Sequence, residues 1–84
     1  MKLLHFTAEW CQPCKMMKPV IDQVMEGNPE IQYIPIDIDE NPETAKSYSV
    51  MGVPTFITLD DNDFVIQRVT GAMSKAEFEK RLQI

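Results

Sequence analysis

The sequence is poor in the residues that usually carry chemistry: of its 84 residues, two are cysteine, one is histidine and one is tryptophan. Two cysteines cannot build a disulfide framework. Because Cys11 and Cys14 stand so close together, a bridge between them would close too short a loop to staple the chain. The pair therefore reads as catalytic or metal-binding. Positive charge is also scarce. Eight Lys and Arg face thirteen Asp and Glu, for a net charge of −5, which leaves too little basic surface to neutralise nucleic-acid phosphates. No apolar run approaches the ~18 residues of a membrane span. The opening Met1–Phe6 carries one charge and runs into Thr7 and Glu9 without a small-residue cleavage site, so no export signal is expected. Repeats, linkers and low-complexity segments are lacking. What remains is an ordinary globular composition, 44% hydrophobic, at a length that predicts one domain over residues 1–84 with modest stability.

The pattern along the chain predicts β-α-β-α-β-β-α. Residues 2–8 read as a short buried strand. Glu9 to Gln12 turn into a helix whose first turn accommodates Pro13, because the missing N–H there leaves no bond unmade. Met17, Val20, Ile21, Val24 and Met25 recur at helical spacing, Pro19 should kink the run, and Gly27-Asn28-Pro29 should stop it. A second strand is expected over Ile31–Asp39 with Ile34, Ile36 and Ile38 on one face. Pro35 inside it points to a sheet edge. Asn41 should cap a short helix running to about Ser49. Thr55–Leu59 and Phe64–Val69 form a hairpin around Asp60–Asp63. Ser74 and Glu77 suggest a capping box for the last helix, with Met73 and Phe78 as its hydrophobic staple and Leu82 on its buried face. The crossovers imply parallel pairing in the first half and the hairpin antiparallel pairing in the second.

The chemistry concentrates at Trp10-Cys11-Gln12-Pro13-Cys14. A dithiol enzyme needs one reachable, ionised thiol and a second, more shielded thiol to resolve the intermediate. Cys11 lies where the strand ends and the helix starts, where unpaired N–H groups and the positive helix end favour a thiolate. Cys14 is one turn further in, and Lys15 and Lys18 add positive charge, unless both are simply solvated. The rival reading is half a zinc site, which needs four ligands where this sequence offers Cys11, Cys14 and His5. Met16, Met17 and Met25 read as core or groove filler.

The run His5 to Met16 resembles the active-site strand and helix of the thioredoxin family. Ile36-Asp37-Ile38-Asp39-Glu40-Asn41-Pro42 is similar to that family's second crossover. Val50-Met51-Gly52-Val53-Pro54-Thr55 resembles its cis-proline loop, and Val69-Thr70-Gly71-Ala72 with Ser74-Lys75 its closing segment. The resemblance covers nearly the whole chain in family order. It implies a thioredoxin-like α/β fold with a four-stranded mixed sheet and three helices, shortened by the usual N-terminal strand and helix. It also implies a protein-disulfide reductase with Cys11 as nucleophile and Cys14 as resolving thiol. A cis Val53–Pro54 peptide would face the dithiol, and the backbone of Val53 would pair with substrate. Trp10, Pro13, Val53, Pro54 and Gly71 are the residues expected to meet substrate, Gly71 where a missing side chain admits close approach, unless it is a plain turn glycine.

No cofactor or metal is expected beyond the Cys11–Cys14 couple. The expected partners are protein disulfides and a thioredoxin reductase or similar electron donor, with no nucleic acid or membrane. A cytoplasmic monomer is expected, in the host cytoplasm if the chain is virus-encoded. Two alternatives stay open: a glutaredoxin-like enzyme reduced by glutathione, and a non-catalytic binding subunit.

The sequence also departs from the resemblance. His5 stands where the family usually has a buried aspartate, and Pro35 where a lysine commonly accompanies it, so both members of a charged pair are replaced together. Thr7 replaces a second tryptophan, and Gln12 a glycine. A neutral imidazole accepts a proton near pH 7, which makes His5 a candidate proton acceptor for Cys14. The alternative is a buried, hydrogen-bonded histidine with no catalytic part.

Overall fold

Leu3 and Leu4 are neighbours in the first strand and enter two different cores, one on each face of a sheet. The computed structural model describes residues 1–84. Its elements run β1 (Lys2–Thr7), α1 (Gln12–Gly27), β2 (Gln32–Asp37), α2 (Pro42–Ser47), β3 (Thr55–Leu59), β4 (Val65–Thr70) and α3 (Lys75–Leu82). The sheet order is β2-β1-β3-β4, with β1 parallel to β2 and antiparallel to β3, and β3 antiparallel to β4. The predicted order and pairing hold, and β2, carrying Pro35, lies at the edge.

One face of the sheet holds Leu3 and Phe56 against Met17, Ile21 and Val24 of α1 and Phe78 and Leu82 of α3. Phe56 meets Phe78 edge-on with centroids 4.7 Å apart. Each such ring contributes roughly 1.5–3 kcal/mol by burial, which makes this contact a main tie between sheet and last helix. The other face holds Leu4, Phe6, Ala45, Ile57 and Leu59, flanked by the partly buried Ile34, Ile36 and Ile38. Central β3 is buried on both faces, as its continuous apolar run requires.

The boundaries depart from expectation where polar side chains capture backbone groups. β2 ends at Asp37 because that carboxylate accepts the N–H groups of Asp39 (2.8 Å) and Glu40 (3.3 Å), which turns the chain. β4 begins at Val65 because Asp60 holds the N–H groups of Asn62 and Phe64 in the turn. Asn41 precedes α2 but does not cap it with its side chain, which donates instead to the Asp37 carbonyl at 3.1 Å. α2 stops at Ser47, ahead of a left-handed Ser49 (φ 55°). In α3, Ser74 Oγ accepts from the Glu77 N–H. The Glu77 carboxylate turns to Arg81 at 2.9 Å, so the capping box is half made. α1 continues through Pro19 to Gly27, and Asn28 closes it by donating its side-chain amide to the Val24 carbonyl. Met16 is not part of the core, since it is 72% exposed while Met17 beside it is buried. A step of one residue turns the helix by about 100°, enough to move a side chain from core to solvent.

Candidate active site

The turn from β1 into α1 places the two cysteines. Cys11 donates its N–H to the Ala8 carbonyl (3.1 Å) and takes the N-cap position of α1. Its Sγ accepts the N–H of Cys14 at 3.1 Å, so the sulfur serves as the capping acceptor that a Ser or Asp hydroxyl or carboxylate would usually be. Gln12 and Pro13 fill the first two helical positions, where Pro13 forfeits no bond. Cys11 and Cys14, with Cα atoms 5.3 Å apart, are joined as a disulfide. Both are 3% exposed, which corrects the expectation that Cys14 is the more shielded. Both pack in one cluster with Ala8, against Val53 and Ile38, and this packing covers the two about equally.

Val53–Pro54 is cis, as the resemblance implied. Val53 packs on the cysteine cluster, so the loop lies against the dithiol. Two hydrogen bonds hold it. The Thr55 hydroxyl donates to the Gly52 carbonyl at 2.6 Å, and the Gly71 N–H donates to the Pro54 carbonyl at 2.8 Å. Gly71 sits at φ +102°, a conformation that L side chains rarely adopt, yet a Cβ there would touch nothing within 4 Å. Backbone conformation, rather than crowding within the chain, is what calls for glycine at this position.

Trp10 is 66% exposed beside the dithiol, and its Nε1–H donates to Asp39 Oδ2 at 2.8 Å. Asp39 is presented by the turn that the Asp37 carboxylate builds. The second crossover motif thus steers the tryptophan as well as starting α2.

His5 is buried on β1, opposite Pro35 in register. Its ring stacks on Phe56 at 4.6 Å, and Nδ1 lies 2.8 Å from the Tyr33 hydroxyl. Nε2 is buried without a hydrogen-bond partner. Burial, and secondarily the Lys18 charge, lower the His5 pKa to about 4. An open cleft of about 440 Å³ brings His5 and Cys14 together with Tyr33, Lys15, Lys18 and Asp37. Lys18 pairs with Asp22 at 2.5 Å. Tyr33 escaped the sequence reading. The signal was there: the alternation that puts Ile34 and Ile36 on one face of β2 puts Tyr33, Pro35 and Asp37 on the other, beside His5. No group of three or more His, Cys, Asp or Glu side chains could hold a metal ion, and no helix is long and apolar enough to cross a membrane.

The Thioredoxin family profile matches residues 1–84. A thioredoxin of Listeria monocytogenes is 37% identical over 79 residues, spanning 93% of this chain and 76% of that protein. A thioredoxin of Bacillus subtilis is 44% identical over 64 residues, 75% of this chain and 62% of its own. Among solved structures, oxidised mitochondrial thioredoxin 3 of Saccharomyces cerevisiae superposes with a TM-score of 0.87 at 31% identity, covering 99% of this chain and 77% of the yeast chain. A thioredoxin of Nicotiana alata superposes with a TM-score of 0.89 at 36% identity, covering 98% and 70%.

Proposed function

The chain belongs to the thioredoxin family, has its fold and is a thiol-disulfide oxidoreductase, and from that premise we propose that it is a one-domain, cytoplasmic, monomeric reductase of protein disulfides. The observation that carries the reading is the Cys11–Cys14 disulfide at the start of α1, packed against the Val53–Pro54 loop. It represents the oxidised end of the cycle.

In the reduced protein, Cys11 thiolate attacks one sulfur of a partner disulfide and displaces the other as thiolate, which takes a proton. The N–H of Cys14 supports negative charge on Cys11 Sγ. Cys14 then loses its proton, attacks Cys11 Sγ and expels the second partner thiol. Two electrons reach the partner, and the Cys11–Cys14 disulfide remains for a separate reductase to reduce. Trp10, Pro13, Val53, Pro54 and Gly71 border the docking surface, with Val53 offering backbone to an extended substrate segment. His5, which shares the cleft with Cys14, accepts the Cys14 proton in the second step. No metal or organic cofactor takes part.

The test is insulin reduction with two electron supplies, NADPH with thioredoxin reductase and NADPH with glutathione and glutathione reductase. Turnover with the first alone, abolished by Cys11→Ser, is expected. Turnover with glutathione alone makes the protein glutaredoxin-like. Full biological function of a Cys11→Ser/Cys14→Ser double variant makes it a binding subunit instead.

A further inference from the structure

We propose that Tyr33 completes a proton conduit with His5, passing the Cys14 proton to solvent by a change of imidazole tautomer rather than by a charged imidazolium. The proposal rests on the reading of His5 as proton acceptor and adds a second residue and a route.

The geometry supplies the outer end of this route and leaves the inner nitrogen free. His5 Nδ1 contacts the Tyr33 hydroxyl at 2.8 Å, while Nε2 on the far side of the ring has no partner. His5, Tyr33 and Cys14 border one open cleft. Stacking on Phe56 fixes the ring plane, so the two nitrogens keep their separate assignments. Tyr33 is only half-buried, so a proton leaving its hydroxyl reaches water.

The electrostatics argue against storing the proton on the ring. Burial and Lys18 both disfavour imidazolium, and Lys15 faces the same cleft from α1. Glu9 and Asp37 are the acidic groups there, but neither contacts the ring through a hydrogen bond, and β3 packs the apolar Phe56 against it. A base held near pKa 4 gives little driving force for taking a thiol proton outright. A tautomer relay needs no such charge. The Cys14 S–H proton moves to Nε2, the Nδ1 proton moves to the Tyr33 oxygen, and the Tyr33 O–H proton goes to water. Imidazole and phenol both end neutral, Cys14 ends as thiolate, and water carries the one proton lost. When the disulfide is reduced again, the same shifts run backwards. Burial, and then the Asp22 charge, raise the Tyr33 pKa, which keeps the phenol protonated as the relay requires.

The experiment is a single turnover. A Cys11 mixed disulfide with 2-nitro-5-thiobenzoate is prepared, and release of the coloured thiol by Cys14 is followed against pH in H₂O and D₂O. Tyr33→Phe keeps the ring and deletes only the hydroxyl. It should slow release about tenfold at pH 7 and lower the solvent isotope effect. His5→Phe should slow release at least as much, and His5→Phe/Tyr33→Phe no further, because the two residues act as one unit. Nitrogen-15 NMR should find neutral His5 as the Nδ1–H tautomer in the reduced protein and Nε2–H in the oxidised one, a change lost in Tyr33→Phe. If Tyr33→Phe releases thiol at the wild-type rate with an unchanged isotope effect while His5→Phe is slow, the conduit fails and His5 stands as a base alone. If His5→Phe is also at the wild-type rate, the reading of His5 fails with it. An unchanged tautomer across the two redox states overturns the conduit as well.

Discussion

The N–H of Gly71 donates to the carbonyl of Pro54 at 2.8 Å, which ties the segment after β4 to the loop that lies against the dithiol. Seventeen residues apart in sequence, the two meet because β3 and β4 pair Thr55 with Thr70 at the near end of the hairpin. The hairpin therefore sets the spacing between the loop against the dithiol and the segment that carries Gly71.

Gly71→Ala tests that tie. The φ of +102° penalises any L residue, by about 1–2 kcal/mol, though the new methyl meets no neighbour. Urea unfolding should register that loss. Insulin reduction should show a raised KM, while alkylation of Cys11 by iodoacetamide keeps its rate. An unchanged midpoint would mean that the backbone relaxes freely at this position.

His5 predicts an acid limb in stability. Its pKa is near 6.5 in the unfolded chain and lowered to about 4 in the fold, chiefly by burial. Between those values the unfolded chain binds more protons, so stability is complete above about pH 6.5 and falls as the pH drops toward 4. The shift corresponds to about 3 kcal/mol. His5→Phe keeps a ring against Phe56 and removes the titration. The gap between variant and wild-type unfolding free energies should therefore move in the variant's favour by about 2–3 kcal/mol from pH 7.5 to pH 4. Parallel curves across that range would contradict the assignment.

The two carboxylates of the second crossover could be located from sequence, but their work could not. Periodicity was enough to place β1, α1 and the hairpin, because burial on one face forces alternation in strands and a three-to-four spacing in helices. Pro35 announced the sheet edge through a missing donor. What periodicity cannot express is which backbone group a short polar side chain will capture. Hence Asp37 and Asp60 moved strand ends, and Asn41 bonded backwards rather than capping. The cysteines were legible from residue type and spacing, whereas the cis proline and the place of His5 were legible only through the resemblance to the thioredoxin family. Tyr33 required the β1–β2 register, which puts it opposite Leu3, one alternation from His5 on the same face.

Trp10 is the sole tryptophan, so its fluorescence reports the rim of the dithiol without background. Asp39→Ala removes the acceptor of its Nε1–H. The emission spectrum should shift and its anisotropy fall as the indole loosens. Stability should change by less than about 1 kcal/mol, because the bond is exposed and water replaces it. A KM for insulin that rises with little change in kcat would mark Asp39 as holding the tryptophan for docking. Identical spectra for variant and wild type would show that packing alone orients the ring.

Arg68 reaches from β4 across to the C-terminal end of α2, where its guanidinium donates to the carbonyl of Tyr48 and, at 2.7 Å, to that of Ser49. These carbonyls lie at the helix end that attracts positive charge, and Ser49 already occupies the left-handed region. From there the chain runs through Val50 and Met51 into the Gly52–Pro54 loop, so Arg68 anchors the approach to the loop that lies against the dithiol. Arg68→Ala should cost about 1–2 kcal/mol in urea unfolding, the range for hydrogen bonds from a charged donor. Arg68→Lys should recover only part of it, since an ammonium cannot span both carbonyls with the planar fork of arginine. Amide exchange should quicken over residues 48–53 and stay slow in β1 and β3. Uniform quickening across the whole chain would instead mean global destabilisation without a local anchor.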